Sequence, residues 1–272
     1  NGTPPQVNES SLDYSVDEDT VLQVRDADGS SSPLFAGDDG LLSNVFDNEG
    51  DTLRIFAEDI VTDEPLYDAD GNLGGILTLE ADGTFVFVSE SDFNGDVSFT
   101  ARVTDVQSNP AHNLVSNQDI TVNITVLPVN DQPVADAPVE LGTDLVDEDT
   151  PFSFLAKDLI DPFYVPGPAN ELDQTMVFDT VGDGVTSFRT EKGGFLEIVD
   201  GGREVIYTPP LDFFSTSATD TDQFVYVVAD EPGVGQTVET ADRVGTMTIL
   251  VQPINDAPVA GDDFVTTNQG VP

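Results

Sequence analysis

Acidic residues recur at matching positions in the two halves of the sequence. The phrase Asp17-Glu18-Asp19-Thr20 returns as Asp147-Glu148-Asp149-Thr150, an offset of 148 − 18 = 130 residues. The phrase Asn130-Asp131-Gln132-Pro133 returns as Asn255-Asp256-Ala257-Pro258, an offset of 256 − 131 = 125 residues. Carboxylate and amide oxygens are the ligands that Ca²⁺ prefers in proteins. A set of such side chains that recurs once per segment therefore favours bound calcium.

Further acidic positions follow the same pattern between these phrases. Asp92 corresponds to Asp212, an offset of 120, and Asp105 corresponds to Asp230, an offset of 125. The candidate calcium ligands are Glu18, Asp26, Asp28, Glu90, Asp92, Asp105, Asn130, Asp131, Glu148, Asp158, Asp161, Asp212, Asp230, Asn255 and Asp256, with Asp68 and Asp70 as a separate pair.

The charge of the chain narrows the possible partners. Asp and Glu number 52 against 8 Lys and Arg, which gives a net charge of −44. Nucleic acid is excluded as a partner because phosphate binding needs a basic face, and an anionic membrane surface is disfavoured for the same reason. Such self-repulsion destabilises a compact chain unless counter-ions bind. Cation ligation and an acidic surface adapted to salt both explain the composition, and we expect both.

The hydrophobic pattern predicts β-strands. Apolar residues alternate with polar ones in Phe85–Val88, Val97–Val103, Ile120–Val126, Phe224–Val228 and Thr246–Val251, and period-two alternation is typical of half-buried strands. Gly, Asp, Asn and Pro separate these runs, as turns require. We therefore expect an all-β chain of tandem antiparallel Greek-key β-sandwiches.

The spacing of the repeated phrases sets the expected domain organisation. Each repeat is about 125 residues long, which is the size of one whole domain. We expect repeat 1 at 1–133 with enlarged loops, repeat 2 at 134–258, and the start of a third repeat at 259–272. No run of eighteen apolar residues is present, so the fragment is not expected to enter a membrane.

The strand order predicts where the acidic residues meet. If each repeat has seven strands that run alternately down and up, the turns holding Glu18, Glu90 and Asp92 lie at the lower end of repeat 1. The linker residues Asn130 and Asp131 come directly after the last strand of repeat 1 and would lie at the same end. The acids of repeat 2 that end its second and sixth strands, Asp158, Asp161 and Asp230, would face them. We expect these carboxylates to share Ca²⁺ at the junction. With no Cys and one His, the sequence does not suit zinc or copper.

These phrases resemble the cadherin-like tandem repeats of large bacterial surface proteins, including the calcium-dependent RTX adhesins. The resemblance implies a Greek-key sandwich, calcium at domain junctions, and a place in a long adhesin at the bacterial cell surface. The residues that carry it are Glu18, Asp26, Asp28, Asp105, Asn130, Asp131, Glu148, Asp158, Asp161, Asp230, Asn255 and Asp256. The chain departs from the family in the long middle of repeat 1 and at 267–272, which lacks the acidic phrase.

One acidic turn remains open to two interpretations. Asp68, Asp70 and Asn72 have the spacing of the first ligands of an EF-hand loop, but the twelfth position is Leu79 instead of Glu. The segment is therefore either a calcium site or an ordinary acidic hairpin turn. The single histidine, His112, is expected in a surface loop. No nucleophile has a sequence signal, so we expect no enzyme.

The function that follows is structural. We expect calcium-stiffened extender domains of a bacterial adhesin, monomeric and extracellular, whose partners are the neighbouring repeats of the same chain. The alternative is a calcium-dependent module that binds a host or biofilm peptide or glycan through the enlarged loops between Asp38 and Gly75.

Overall fold

The computed structural model describes residues 2–25, 40–135, 139–141, 145–179, 186–231, 237–241 and 243–257. These residues form two compact units. The first contains residues 2–131 together with Gly167–Asp173, and the second contains the others. Within the described ranges, no helix is long and apolar enough to cross a bilayer. The predicted ligands Asp26 and Asp28, and the segment 259–272, lie outside the described residues.

The first unit is built from short strands and two 3₁₀ turns, Leu41–Asn44 and Pro110–His112. Its strands are β1 Gln6–Val7, β2 Ser11–Asp17, β3 Val21–Val24, β4 Val45–Phe46, β5 Thr52–Ile55, β6 Val61–Tyr67, β7 Leu73–Leu79, β8 Phe85–Ser89, β9 Gly95–Ala101, β10 Val103–Val106 and β11 Ile120–Leu127.

Two sheets dominate the first unit. Strands β3, β8, β7 and β6 pair antiparallel in that order. Strands β2, β11 and β9 form the other sheet, in which β2 runs parallel to β11. Strand β10 continues the path of β9 but pairs with β5, and β1 pairs with β4. The sandwich is thus mostly antiparallel, with one parallel pair where the first long strand meets the last.

The core of the first unit lies between its two sheets. Alternate residues of β8 are buried, as the period-two pattern predicts. The Phe85 ring meets the rings of Tyr14 and Phe99 edge-on, with centroids 5.4 and 5.3 Å apart. Tyr14 lies on β2 and Phe99 on β9, so these contacts join the two sheets. This packing fixes the ends of the strands, where the acidic turns begin.

The second unit repeats the architecture with one short helix, α1 Ala156–Ile160. Its strands are β12 Val139–Leu141, β13 Leu145–Asp147, β14 Phe152–Leu155, β15 Thr175–Asp179, β16 Ser187–Arg189, β17 Phe195–Val199, β18 Glu204–Thr208, β19 Asp222–Glu231 and β20 Gly245–Gln252. A 3₁₀ turn at Asp200–Gly202 joins β17 to β18.

Two sheets again enclose one core. Strands β14, β18, β17 and β16 form one sheet, and β12, β20, β19 and β15 form the other, with β12 and β13 both parallel to β20. Gly245 of β20 lies opposite Tyr226 of β19. A Cβ at Gly245 would lie 2.0 Å from the Tyr226 ring, so only glycine fits there without displacement.

A buried carboxylate joins the sheets of the second unit. Asp222 is fully buried and accepts hydrogen bonds from the Tyr207 hydroxyl at 2.8 Å, from the Thr190 hydroxyl, and from the Lys192 backbone N–H at 2.9 Å. Burial and the adjacent carboxylate raise the pKa of Tyr207, so its hydroxyl stays protonated and donates. A buried charge is tolerated when it is hydrogen-bonded in this way.

The predicted all-β sandwich fold is confirmed. Two details differ from the expectation. The parallel pairing of β2 with β11, and of β13 with β20, was not predicted, because the alternating pattern is the same for both strand directions. The helix α1 was also not predicted, since five residues are too short for a helical period to be recognised.

Candidate metal centres

Three acidic groups have carboxylate oxygens close enough to hold one ion. The first acidic cluster consists of Asp19, Asp92 and Asp131, whose oxygens lie within 4.8 Å of one another. Asp19 lies in the turn between β2 and β3, Asp92 in the turn between β8 and β9, and Asp131 follows β11. Three strand ends of one sandwich therefore place three carboxylates together.

Glu18 lies against this first cluster. It is 1% exposed, and its Oε1 accepts a 2.8 Å hydrogen bond from the backbone N–H of Val129. Burial raises the pKa of Glu18, the Val129 hydrogen bond lowers it, and the charges of Asp131, Asp19 and Asp92 raise it further. The net direction is upward, which is the result expected of a carboxylate that lacks a nearby positive charge.

The segment Gly167–Asp173 also reaches this cluster, as part of the first unit. The Asn170 Nδ2 lies 3.4 and 3.3 Å from the two carboxylate oxygens of Glu18. The buried Glu171 accepts hydrogen bonds from the Asp131 backbone N–H at 3.2 and 3.1 Å. The Oδ1 of Asn170 is buried and accepts no hydrogen bond. A buried oxygen without a hydrogen bond, next to several carboxylates, fits the role of a cation ligand.

The second acidic cluster repeats the first in the other unit. Asp149, Asp212 and Asp256 have carboxylate oxygens within 4.8 Å of one another. Their offsets from the first cluster are 149 − 19 = 130, 212 − 92 = 120 and 256 − 131 = 125, the same offsets that relate the repeated phrases. The backbone N–H of Asp212 donates to the Asp149 carboxylate at 3.0 Å.

Glu148 takes the place of Glu18 in the second unit. It is 3% exposed, and its Oε1 accepts a 2.9 Å hydrogen bond from the backbone N–H of Ile254. The matching bond in the first unit joins Val129 to Glu18. Each repeat therefore supplies one buried glutamate beside three aspartates, and the same backbone contact orients the glutamate in both.

The third acidic cluster has no described counterpart. Asp47, Asp51 and Asp105 again lie within 4.8 Å of one another. Asp105 is fully buried, and its carboxylate accepts from the Leu114 N–H and, at 3.1 Å, from the Gln107 amide, which also donates to Asp51. The Oδ2 of Asp47 is buried and has no hydrogen-bond partner. This cluster too has an unsatisfied carboxylate oxygen.

The turn aspartates share an unusual backbone conformation. Asp19 and Asp92 have φ values of 57°, and Asp149 and Asp212 have φ values of 58° and 55°. Residues other than glycine rarely adopt positive φ, although Asp and Asn tolerate it better than most. In both units this conformation occurs at the same two turns, which supply two of the three carboxylates.

The predicted ligands fall into three classes. Five of them belong to the three acidic clusters: Asp92, Asp131, Asp212, Asp256 and Asp105. Two buried glutamates, Glu18 and Glu148, lie beside the first and the second cluster. Asn130 is buried next to Asp131, whereas Asn255 is exposed. The remaining predicted residues lie outside the three clusters: Glu90 in an exposed turn, Asp158 on α1 in an ion pair with Lys157, Asp161 at the end of α1, and Asp230 buried on β19 with a 3.0 Å hydrogen bond from the Glu239 N–H.

Asp68 and Asp70 lie in the hairpin turn between β6 and β7. The Asp68 carboxylate accepts from the backbone N–H groups of Asp70 and Asn72 at 2.9 and 2.8 Å, and from the Asn72 side chain at 2.8 Å. These hydrogen bonds, that of the Asn72 side chain first, lower the pKa of Asp68. The structure thus places Asp68 and Asp70 in a hairpin turn, and the choice between a calcium site and an ordinary acidic turn stays open as a prediction.

Six residues of these sites are not among the ligands that the sequence predicts. Asp19 and Asp149 lie in the repeated phrase Asp-Glu-Asp-Thr, so the repetition was a signal for both. Asp47 and Asp51 lie four residues apart just before β5, with no repeated partner to mark them. Asn170 and Glu171 give no sequence signal, since only the folded chain brings them to the first cluster.

The donor sets of the two repeated clusters fit Ca²⁺. All side-chain donors are oxygens, most of them charged, and Ca²⁺ takes six to eight oxygen ligands in a flexible geometry. Among the described residues, the ion pairs formed by Lys and Arg lie away from Asp19, Asp92, Asp149, Asp212 and Asp256. Bound Ca²⁺ would supply positive charge to these carboxylates. The first cluster would hold it through Asp19, Asp92 and Asp131, and the second through Asp149, Asp212 and Asp256.

Comparison with known proteins finds a family similar to the first repeat. Residues 4–125 match the family model described as a cadherin-like domain, and this stretch is therefore similar to that family. No curated protein matches the sequence.

Two solved structures are similar at low sequence identity. The crystal structure of human CDH23 EC21-23 is 13% identical and has a TM-score of 0.49, over 92% of this chain and 70% of that one. The structure of mouse protocadherin-24 EC1-3 is 15% identical, with the same coverage and TM-score. The similarity to the cadherin-like family rests on the match over residues 4–125 and not on these two structures.

Proposed function

We propose that this chain is a pair of calcium-rigidified extender domains from a bacterial cell-surface adhesin. In this proposal Ca²⁺ binds the repeated acidic clusters and restricts the motion of successive repeats relative to one another. The chain then acts as an extracellular spacer, and its partners are the neighbouring repeats. The resemblance of the repeated phrases to bacterial adhesin repeats supports the bacterial and surface assignments.

One observation carries the proposal. The same constellation of one buried glutamate and three aspartates occurs in both units, at positions related by the offsets of the sequence repeat. Acidic residues placed only for solubility would be spread over the surface and would avoid one another. Carboxylates that repel one another are brought together twice instead, and a shared divalent cation offsets that repulsion.

The position of the clusters suggests why calcium matters mechanically. Asp131 follows the last strand of the first unit, and Asp256 follows the last strand of the second. An ion bound to either residue also ties down turns at the end of the same sandwich. The chain leaving the sandwich would thereby lose freedom at its first residues, and a short linker between domains would become stiffer.

Small-angle X-ray scattering and calorimetry test this proposal together. We expect calorimetry to detect at least one Ca²⁺ site per repeat, with dissociation constants of about 10⁻⁴ to 10⁻³ M, as in extracellular calcium modules. We expect scattering to show a narrower distribution of interdomain distances and a larger maximum dimension with calcium than with a chelator.

Magnesium at the same ionic strength is the control, because it screens charge equally but demands a smaller octahedral site. Equal scattering profiles in calcium, in magnesium and in chelator would reject rigidification. Calcium binding without any change in scattering would leave calcium sites and reject the extender role.

A second candidate function is ligand binding by the enlarged loops of repeat 1. One observation favours it. A groove of about 460 Å³ in the first unit is lined by Tyr67, Asp68 and Ala69 from this region, together with side chains of β9 and β11. Its volume lies in the range of protein ligand sites. This groove would make the chain a binding module in addition to a spacer.

A further inference from the structure

The groove of the first unit combines a half-exposed aromatic ring with two carboxylates. It is lined by Tyr67, Asp68, Ala69, Asp96, Val97, Ser98 and Asn123. Tyr67 is the last residue of β6 and is 55% exposed, although tyrosine rings usually pack in a core or meet a partner. The buried Val97 is also among the lining residues. The groove therefore combines a partly exposed aromatic side chain with carboxylates.

The side chains that line the groove offer many more hydrogen-bond acceptors than donors. The Asp68 carboxylate already accepts from Asp70 and Asn72, and the Oδ1 of Asp96 accepts from the Thr125 hydroxyl at 2.6 Å. The Oδ2 of Asp96 is thus the most available carboxylate oxygen of the groove, and neither carboxylate can donate when ionised. The two amide hydrogens of Asn123 are directed to Ser11 and Asp13, at 3.0 and 2.7 Å, so its carbonyl oxygen is what the groove can use. Only the hydroxyls of Tyr67 and Ser98 could donate. No Lys or Arg lines the groove.

This inventory selects the chemistry of the ligand. Sugar hydroxyls both donate and accept, so a saccharide would leave part of its acceptors unpaired in this groove. A carboxylate or phosphate would be repelled. A guanidinium group has five N–H donors and no acceptor, pairs with carboxylates, and stacks on aromatic rings. A guanidinium therefore complements the groove in hydrogen-bond donors and in charge.

We propose that this groove binds an arginine side chain of an extended basic peptide, with the guanidinium on the Tyr67 ring and against Asp96 and Asp68. This inference rests on the second candidate function, the binding module, and names its ligand class. It is independent of calcium at the acidic clusters, because none of the cluster residues lines the groove. The long-range attraction of a chain with net charge −44 would bring such a peptide to the surface, and the groove would select arginine.

Nuclear magnetic resonance titration with short peptides tests the inference. The probes are Gly-Arg-Gly, Gly-Lys-Gly and Gly-citrulline-Gly, where citrulline keeps the shape of arginine and removes its charge. A panel of neutral oligosaccharides is titrated in parallel. We expect the arginine peptide to shift the amide signals around Tyr67, Asp96 and Asn123, the lysine peptide to bind more weakly, and the citrulline peptide and sugars to give no localised shifts.

Variants separate specific binding from general attraction to an acidic protein. We expect Tyr67→Ala to weaken arginine binding about 2- to 5-fold, the range of an exposed cation–π contact, and Tyr67→Phe to preserve it. Asp96→Asn should weaken it by a similar factor. The control Glu197→Gln removes one charge from an exposed position on β17 in the other unit and should change nothing. Thermal unfolding of each variant confirms that the fold is intact.

Three results would overturn the inference: localised binding of a neutral saccharide without arginine binding, equal affinity for the arginine and citrulline peptides, or equal weakening by Glu197→Gln and Asp96→Asn. Running every titration both in calcium and in chelator keeps this test apart from the extender proposal. Arginine binding that survives chelation supports the groove whether or not calcium changes the scattering. Loss of binding in chelator would contradict the independence from calcium.

Discussion

Replacement of one turn aspartate per cluster should separate the two calcium sites. Asp92→Asn alters the first acidic cluster, and Asp212→Asn alters the second. Asparagine has nearly the same shape and tolerates the positive φ of 57° and 55° at these positions. The substitution therefore removes a charge without forcing the backbone to move, and any change in stability reports on that charge.

The magnitude follows from ligand linkage. At a calcium concentration 10 to 100 times the dissociation constant, one site stabilises its unit by about 1.4 to 2.7 kcal/mol. For a unit of this size, that corresponds to an increase in melting temperature of about 4 to 13 °C. Each variant should lose most of this increase in its own unit. In chelator the effect of the substitution on stability should reverse, because one of three mutually repelling charges is gone. Each variant should then be as stable as the parent or more stable.

Hydrogen exchange resolves the two units. We expect Asp92→Asn to cancel calcium protection of the amides in β9 and β11 and to leave β19 and β20 protected, with the opposite result for Asp212→Asn. The control Glu64→Gln removes an exposed charge of β6 outside the clusters and should keep full calcium protection. If Asp92→Asn destabilised the first unit equally in calcium and in chelator, the cluster would be a structural hydrogen-bonding motif, and the reasoning from repulsion would be refuted.

Two further predictions concern stability away from the metal centres. Arg102 donates to Asp59 at 2.9 and 2.7 Å. Burial raises the pKa of the Asp59 carboxyl, but the hydrogen bonds from the Arg102 guanidinium and backbone N–H outweigh burial and lower the pKa overall. The contribution of Asp59 is therefore complete above pH of about 4 and is lost as the pH falls through the lowered pKa. Asp59→Asn should cost about 1 kcal/mol at neutral pH, and chemical denaturation across pH should show the difference vanish in acid. Gly245→Ala should cost roughly 1 to 3 kcal/mol by overpacking against Tyr226, and a double variant with Tyr226→Ala should lose less than the sum of the two single changes.

The sandwich fold could be predicted from the sequence because alternation is a local signal. The run that became β11 alternates over eight residues and is buried at every second position. The direction of pairing could not be predicted in the same way. The parallel contact between β2 and β11 joins residues about 110 positions apart, and neither run carries a mark of its partner.

The candidate site residues could be predicted where they recur in both sequence repeats. Asp92, Asp131, Asp212 and Asp256 recur with the phrases, so a functional interpretation needed no structure. The third cluster shows the limit of this approach. Asp105 meets Asp47 and Asp51 because β10 pairs with β5 in a register that sets Asp105 opposite Leu53. That register is a property of the folded sheet, and the short run around β5 does not encode it.

The backbone conformation of the turns distinguishes the recurring cluster aspartates from the many other acidic residues of the chain. Among the described residues, the non-glycine positions with positive φ are six aspartates, and four of them belong to the two repeated clusters. Glycine would adopt these conformations at lower cost. The recurrence of aspartate instead of glycine at the same two turns of both units favours a role for the carboxylate there. Backbone strain retained in this way is often found at binding sites. An acidic surface adapted to salt needs the charge but gives no reason for its recurrence at these two turns.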